Sequence, residues 1–185
     1  MPAKVRYSLI DERPLVSVIV PGCNHAEVIN QCVESVLASR YLRMEIVLVD
    51  GGSTDSTARI MQGLAQQHDR VRFLSDAPAG EGAALARGMD AALGDILVVV
   101  EAEAVCASGT LLHLLEGFDH PNVGAVRLLD GTAAFRNEAV REVGGFPPGT
   151  PVRVLELAQR VHKAGYRVRS RPAGHSIGEV VHTIT

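Results

Sequence analysis

Short aliphatic runs alternate with helical patterns along the first hundred residues, and this alternation constrains the fold more than any other feature. Four runs predict buried strands, at 16–21, 45–50, 71–74 and 96–100. Apolar residues recur at helical spacing between them, at 26–37, 57–65 and 83–93. Strands that alternate with helices form parallel sheets covered on both sides. The sequence therefore predicts an α/β fold, with a mostly parallel central sheet flanked by helices on both faces.

The ends of these segments predict where the helices begin and end. Asn24 is expected to cap the first helix, and Ser53 or Asp55 the second. Gly94 is expected to close the third. The pattern is looser after residue 108, where we expect a strand near 123–129 and helices near 110–115, 138–143 and 152–163.

The composition excludes several function classes. The chain is 46% hydrophobic with a formal net charge of -3, so it lacks the basic excess that nucleic-acid binding needs. The longest aliphatic run, 96–100, is far shorter than the roughly 20 residues of a membrane span, and no transmembrane segment is expected. The N-terminus lacks the apolar stretch of a secretory signal, and the three cysteines include no CxxC pair. Both features predict a cytoplasmic protein.

The carboxyl ends of the predicted strands are where a parallel sheet binds ligands. Asp50 ends the second strand and is followed by Gly51, Gly52 and Ser53. Glycines allow close backbone approach, and a carboxylate at this edge accepts hydrogen bonds from a nucleotide base or ribose. The competing interpretation is a purely structural turn.

Two further segments at the same edge carry chemistry. Glu101 and Glu103 follow the most aliphatic strand, and carboxylate oxygens suit Mg²⁺ or Mn²⁺ bridging a diphosphate. An ordinary solvated acidic loop is the alternative. Gly80 and Gly82 precede a helix and resemble a loop that offers backbone amides to phosphate. Glu81 between them is an odd residue for a phosphate site, and a flexible turn explains the glycines equally well.

The order and spacing of several motifs resemble family 2 glycosyltransferases. The motifs are VSVIVPGCNHAEVINQCVESVLAS, EIVLVDGGSTDST, GEGAALARGMDAALGDILVVVEAEA, FRNEAVREVGGFP and AGYRV, within residues 14–172. The resemblance implies a GT-A fold that binds a nucleotide-diphospho-sugar, with a UDP- or GDP-sugar as donor. A chain of 185 residues fits one domain, which we expect at 14–185 after a polar leader, 1–13. Residues 14–105 would then bind the nucleotide, and 106–185 would complete the acceptor side.

The same resemblance assigns roles to individual residues. The nucleotide would be held by the loop after the first strand and by the other strand ends, at Pro21, Asn24, Asp50, Gly51, Ser53, Gly80, Gly82 and Glu101. Glu101 and Glu103 lie where the family has its metal-binding aspartates, and His175 lies near where some relatives place a histidine beside the metal. The segment 80–100 is most similar to the branch that uses polyprenyl-phosphate acceptors, which suggests a lipid-linked acceptor, although the acceptor itself stays open.

Three departures from the family pattern bear on catalysis. Both metal-site aspartates are glutamates here, which keeps the charge and lengthens each side chain by one methylene. Val154 stands where the family has the aspartate that acts as general base, so Glu156 becomes the candidate base in an inverting reaction. The interval between Glu103 and Gly144 is also short, which suggests a shortened or degenerate member.

Three functions therefore compete. The first is a metal-dependent inverting glycosyltransferase with Glu156 as base. The second is a catalytically impaired relative that binds a nucleotide or a partner protein without transferring sugar, as Val154 suggests. The third is a different nucleotide-binding α/β enzyme, such as a nucleotidyltransferase.

Overall fold

A seven-stranded sheet runs through the part of the chain that the structure, a computed structural model, describes: residues 13–75, 80–129, 131–145 and 154–172. Its strands are β1 (Val16–Gly22), β2 (Met44–Asp50), β3 (Val71–Leu74), β4 (Ile96–Val99), β5 (Val123–Leu128), β6 (Ala133–Arg136) and β7 (Arg167–Arg171). The helices are α1 (Ile29–Leu37), α2 (Thr57–Gln67), α3 (Glu81–Ala91), α4 (Thr110–Leu115), α5 (Asn137–Glu142) and α6 (Val154–Lys163).

The strand order is β3-β2-β1-β4-β6-β5-β7. The strands β1 to β4 pair in parallel, and β5 pairs in parallel with β7. Only β6 among the described strands runs the opposite way, between β4 and β5. The predicted mostly parallel α/β sheet is confirmed.

Helices cover both faces of the sheet because its inner strands are apolar on both sides. Alternate β1 residues, such as Val18 and Val20, pack in one core cluster with residues of α1, α2 and α4. Ile19 points to the opposite face, where it packs in a second cluster with residues of α3, α5 and α6. Every residue of β2 is buried. This burial explains why the strands read as continuous aliphatic runs rather than as alternating patterns.

Two expected helix ends are wrong. The first helix begins at Ile29 after Val28, without a side-chain cap, so Asn24 does not cap it. The third helix ends at Ala91, before Gly94. A Cβ atom on Gly94 would lie 2.6 Å from the amide nitrogen of Ser17. Gly94 therefore serves close packing between the chain before β4 and the start of β1, and not helix capping.

The expected cap of α2 is only partly right. Ser56 occupies the cap position without a side-chain hydrogen bond. Asp55 Oδ1 nevertheless accepts hydrogen bonds from the amide of Thr57 at 2.9 Å and from its hydroxyl at 2.5 Å. Ser53 bonds elsewhere, to the amide of Asn24. Asp55, one residue before the cap position, thus stabilises the start of α2 by these hydrogen bonds.

The last strand, β7, has no counterpart in the sequence prediction. Its sequence, RVRSR, contains a single aliphatic residue, and none of its residues is buried. It pairs with β5 and forms one end of the strand order. An edge strand of this kind lacks the apolar run by which buried strands are recognised.

Candidate functional site

Backbone hydrogen bonds join three loops at the carboxyl edge of β1 and β2. The amide of Gly51, just after β2, donates to the carbonyl of Gly22 at the end of β1, at 2.8 Å. The amide of Gly80, before α3, donates to the carbonyl of Gly51 at 2.7 Å. A Cβ atom on Gly51 would lie 3.1 Å from the backbone of Gly80. A glycine at position 51 therefore lets the β2 loop and the start of α3 approach closely.

Asp50 organises the loop that follows it. Its side chain accepts hydrogen bonds from the amides of Gly52 at 3.2 Å and Ser53 at 3.2 Å. The residue is only 7% exposed. Gly52 has φ +88°, a left-handed conformation that favours glycine. An ionised carboxylate has about four lone-pair sites, so the bonded loop still leaves Asp50 capacity to accept from a ligand.

Asn24 connects the β1 loop to the β2 loop. Its φ is +61°, in the left-handed region that asparagine tolerates better than most residues. The side-chain oxygen accepts from the amides of Thr54 at 2.8 Å and Asp55 at 3.3 Å. Its own amide donates to the hydroxyl of Ser53 at 3.1 Å. The structure thus brings Asn24 and Ser53 together, through bonds that shape the two loops.

Asp55 supports the same junction from the start of α2. Hydrogen bonds from the hydroxyl and amide of Thr57 hold the pKa of the Asp55 carboxyl below its usual range. The amide of Ala26 also donates to this carboxylate, at 3.2 Å. Asp55 therefore remains ionised near neutral pH and connects the β1 loop to the first turn of α2.

A histidine lies between two acidic side chains beside these loops. Nε2 of His25 is 3.2 Å from Oε1 of Glu103 and 3.8 Å from Oε1 of Glu81. The His25 side chain is 15% exposed, whereas Glu103 is 65% exposed and Glu81 59%. The structure thus brings the start of α3 and the segment after β4 toward the same ring nitrogen of the β1 loop.

Glu101 lies two residues after β4, and its side chain is exposed. Its backbone carbonyl accepts a hydrogen bond from the thiol of Cys32 at 3.5 Å. Burial in α1, with the nearby Cys106 as a second cause, raises the pKa of the Cys32 thiol to about 12. Cys32 is therefore a protonated, buried packing residue, and it ties α1 to the backbone of the acidic segment.

The donor set of the acidic segment fits a divalent cation that also binds a diphosphate. Magnesium is usually held by one or two carboxylates together with substrate phosphate and water oxygens. Glu101 and Glu103 offer such a pair, both exposed. Within the described residues, no group of three or more histidine, cysteine or acidic side chains is arranged to enclose a metal by itself. These residues suit a cation that a nucleotide diphosphate helps to hold.

The other predicted nucleotide-site residues lie on the same edge. Pro21 is near the end of β1, paired with Val49 of β2. Gly80 has φ +109° and precedes α3, and Gly82 is in the first turn of that helix. The backbone amides at this helix start carry the partial positive charge that attracts anions.

The structure places the candidate base in a different setting. Glu156 is exposed in the first turn of α6, two residues after Val154. The helix packs against β5, β7 and α5. Among the described residues, no hydrogen bond or ion pair joins Glu156 to the loops at the ends of β1 and β2. His175, the other candidate metal ligand, lies outside the described residues.

Sequence reasoning missed two residues of this cluster. In the sequence, His25 is recognisable only as part of the loop after β1, and Glu81 only as an unsuitable neighbour of two glycines. The available signal was their position, because each follows the end of a β-strand that contributes to the same edge. A negative charge in a loop expected to bind phosphate, such as Glu81, indicates that the side chain has a different neighbour, here His25.

Comparisons with known proteins identify the family. The sequence model described as "Glycosyl transferase family 2" matches residues 17–157. Glycosyltransferase GlyG of Streptococcus pneumoniae is 38% identical over 93 residues, which cover 49% of this chain and 31% of that protein. Beta-monoglucosyldiacylglycerol synthase of Nostoc sp. is 32% identical over 120 residues, covering 62% of this chain and 26% of that protein.

A solved structure shares the fold. The mannosyltransferase PcManGT of Pyrobaculum calidifontis, in complex with GDP-Man and Mn²⁺, superposes with a TM-score of 0.80 at 26% identity. The alignment covers 90% of this chain and 59% of that one. The described fold is thus that of GT-A glycosyltransferases, as the sequence predicted.

The chain belongs to glycosyl transferase family 2. This membership removes the support for a nucleotidyltransferase. The chain spans about a third or less of the two curated relatives by the aligned shares. None of its described helices is both long and apolar enough to cross a bilayer.

Proposed function

We propose that this chain is the donor-binding core of a glycosyltransferase that moves a sugar from a UDP- or GDP-sugar to an acceptor, with a divalent metal and inversion. The observation that carries the proposal is the convergence of Asp50, Glu103 and the start of α3 at one edge of the sheet. Family membership supports the reaction class. The likeness to a mannosyltransferase bound to GDP-Man and Mn²⁺ supports the donor class and the metal.

The loops after β1, after β2 and before α3 would contact different parts of the donor. Asp50, held by the amides of Gly52 and Ser53, accepts hydrogen bonds from the ribose or base. Pro21 and Asn24 shape the neighbouring side of the nucleotide pocket. The backbone amide of Gly82, in the first turn of α3, would donate to the diphosphate, and Gly80, whose own amide is bonded to the carbonyl of Gly51, would shape the turn before it. Because these groups are held by the fold, little ordering remains to be done on binding.

Glu101 and Glu103 would hold Mg²⁺ or Mn²⁺ beside the diphosphate. When bound, the metal neutralises the charge that develops on the leaving nucleotide. Two glutamates in place of aspartates would keep the hard oxygen ligands, each on a side chain longer by one methylene.

An inverting transfer also needs a group that accepts the proton of the acceptor hydroxyl. Glu156 is the candidate, because it is an exposed carboxylate in the first turn of α6, beside the position of the usual base. A lipid-linked acceptor is supported by the segment 80–100 and by the name of the Nostoc relative, a glucosyldiacylglycerol synthase. The cytoplasmic location stays a prediction from the sequence.

The test is titration calorimetry with UDP, GDP and their sugars, with and without Mn²⁺. We expect one of the two nucleotides to bind, and Mn²⁺ to tighten its binding, because carboxylates and phosphate oxygens would hold the cation together. Glu103→Ala should remove the gain from Mn²⁺ and leave metal-free binding. The matched control is Glu138→Ala. Glu138 is an exposed glutamate in the first turn of α5, and α5 follows β6, which ends at the edge of the sheet opposite the candidate site. Absence of binding by the folded protein would refute the proposal.

The second candidate function is nucleotide binding without transfer. It is favoured by Val154, which is half-buried against the core cluster under α3, α5 and α6 and cannot accept a proton. It predicts that the nucleotide binds and no sugar moves to any acceptor. Sugar transfer that disappears in Glu103→Ala would eliminate this alternative.

A further inference from the structure

His25 is held rigidly from three sides. Its backbone amide donates to the hydroxyl of Thr57 at 2.8 Å, and its carbonyl accepts from the amides of Val28 and Ile29 at 3.1 and 3.0 Å. The imidazole Nδ1 accepts a hydrogen bond from the amide of Cys23 at 3.0 Å. The ring is therefore fixed in place before any ligand arrives.

The contact with Cys23 also decides which ring nitrogen carries the hydrogen. A nitrogen that accepts a hydrogen bond from an amide has a free lone pair, so the hydrogen of the neutral ring is on Nε2. An Nε2–H group donates and offers no lone pair to a metal. His25 is thus unsuited to be a metal ligand, although it lies beside the candidate metal-binding segment.

The Nε2–H group has one acceptor within hydrogen-bond distance among the described residues. Oε1 of Glu103 is at 3.2 Å, whereas Oε1 of Glu81 is at 3.8 Å, beyond the usual length. Glu103 itself is 65% exposed, on a segment without regular structure after β4. A long exposed side chain has several rotamers, so a fixed donor at one carboxylate oxygen restricts it.

We propose that His25 is a positioning residue that orients the Glu103 carboxylate for the divalent cation. The inference rests on the proposed function, in which Glu103 holds the metal. One carboxylate oxygen accepts from Nε2–H, and the other is left for the cation. Groups that hydrogen-bond to metal ligands in this way typically change metal affinity about 10-fold to 100-fold when removed. The exposure of Glu103 puts the expected effect at the lower end.

Two substitutions separate this role from a purely local one. The amide oxygen of asparagine in His25→Asn lies where Nδ1 was, so it still accepts from Cys23 and does not reach Glu103. The amide nitrogen of glutamine in His25→Gln extends to the place of Nε2 and donates to Glu103. If His25 positions Glu103, His25→Gln keeps the Mn²⁺ affinity that His25→Asn loses. If His25 acts only within the β1 loop, through its contact with Cys23, His25→Asn keeps that affinity and His25→Gln loses it.

The measurement is Mn²⁺ affinity in the presence of saturating UDP or GDP, followed by electron paramagnetic resonance of free Mn²⁺. We expect about 10-fold weaker Mn²⁺ binding in His25→Asn, and near wild-type affinity in His25→Gln. Thermal melting of both variants verifies that they fold. Wild-type affinity in the asparagine variant, or no recovery in a folded glutamine variant, would overturn the inference.

A double-mutant cycle with Glu103→Ala, which removes the acceptor of the His25 hydrogen bond, tests whether His25 acts through Glu103. If it does, adding His25→Asn to Glu103→Ala causes no further loss of Mn²⁺ affinity. Additive losses overturn the inference and leave the proposed function standing. A wild-type protein that binds no Mn²⁺ with either nucleotide refutes the metal step of the proposed function, and the inference with it.

Discussion

Two parts of the sheet are built differently: the first end, made of β3, β2 and β1, and the second end, made of β5 and β7. In the first end, the inner strands β1 and β2 are buried along nearly their whole length, and side-chain hydrogen bonds cross-link the loops that follow them. In the second end, β7 has no buried residue, and two of its arginines pair with acidic residues near the surface. The candidate donor site is on the first end. The candidate base, Glu156, is on a helix that packs against the second.

The charges of the two ends show the same contrast. Glu45, at 8% exposure, accepts from the hydroxyl of Ser17 at 2.6 Å, the amide of Leu93 at 2.7 Å and Arg72 at 2.7 Å. In β7, Arg169 pairs at 2.8 Å with Asp119, which is 53% exposed. Buried and fully bonded charges couple strongly to folding, whereas exposed pairs contribute little. We therefore expect the first end to be the more rigid of the two, because its charged group is buried and fully hydrogen-bonded, whereas the ion pairs of the second end are exposed.

The largest expected effect comes from Glu156→Gln, which tests whether the second end contributes to the chemistry. If Glu156 is the general base, kcat for sugar transfer falls at least about 100-fold, because a positioned base contributes that much. Nucleotide affinity stays unchanged, since donor binding depends on the first end. Steady-state transfer assays and calorimetry measure the two quantities, with Glu138→Gln as control. A rate within twofold of the wild type removes Glu156 from the mechanism.

Next in size, Gly94→Ala tests the rigidity of the first end. The added Cβ would lie 2.6 Å from the amide nitrogen of Ser17 and 2.7 Å from the carbonyl oxygen of Leu15. Backbone atoms there cannot move without disturbing β1, so we expect a loss of about 2–3 kcal/mol in unfolding free energy. Urea denaturation measures it. The control is Gly63→Ala in α2, where the space is open, with an expected gain of about 1 kcal/mol.

Glu45 predicts a pH dependence of stability. Burial opposes ionisation of this carboxyl, but hydrogen bonds from Ser17, Leu93 and Arg72 outweigh it and lower the pKa of Glu45. A lowered pKa in the folded state stabilises the protein above the ordinary glutamate pKa of about 4.3. This stabilisation is lost as the pH falls through the lowered pKa.

The measurement compares the wild type with Glu45→Gln by urea denaturation across this pH range. We expect the substitution to cost about 2 kcal/mol near neutral pH, because a buried hydrogen-bonded charge is removed. The difference should shrink steadily as the pH falls below about 4.3 and through the lowered pKa of Glu45. A cost that does not vary with pH would show that Glu45 acts through shape and not through charge.

The smallest effect is expected for Arg169→Ala at the second end. Its ion pair with Asp119 joins side chains that are 39% and 53% exposed. Water and salt screen such a pair, so the substitution should cost less than about 1 kcal/mol. Urea denaturation at low and high salt measures it, and the cost should decrease at high salt. A larger and salt-independent loss would make the second end as rigid as the first.

Local sequence determined the first end of the sheet because its signals are local. Aliphatic runs predict strands, the helical spacing between them predicts helices, and Asp50 followed by two glycines predicts a turn at the strand end. The structure confirms these elements with small shifts at their ends. The predicted roles of Asp50, Glu101 and Glu103 in binding stay predictions, although the structure places their segments near the same sheet edge.

Tertiary structure alone decided several other features, because they depend on residues far apart in the chain. The antiparallel strand β6 lies between β4 and β5, which no local pattern predicts. Edge strand β7 lacks an apolar run because, among the described strands, it has a neighbour on one side only. Asn24 bonds the β2 loop, 30 residues away, instead of capping the nearby helix.

The contact between His25 and Glu103 joins residues 78 apart in the sequence. Sequence by itself determined which side chains with chemistry follow each strand, since strand ends are encoded locally. Only the packing of β1 beside β4 decided which of these side chains meet. The physical reason is that hydrogen bonding between strands brings segments that are distant in the sequence to one edge of the sheet. The spacing of residues along the chain does not specify which strand pairs with which.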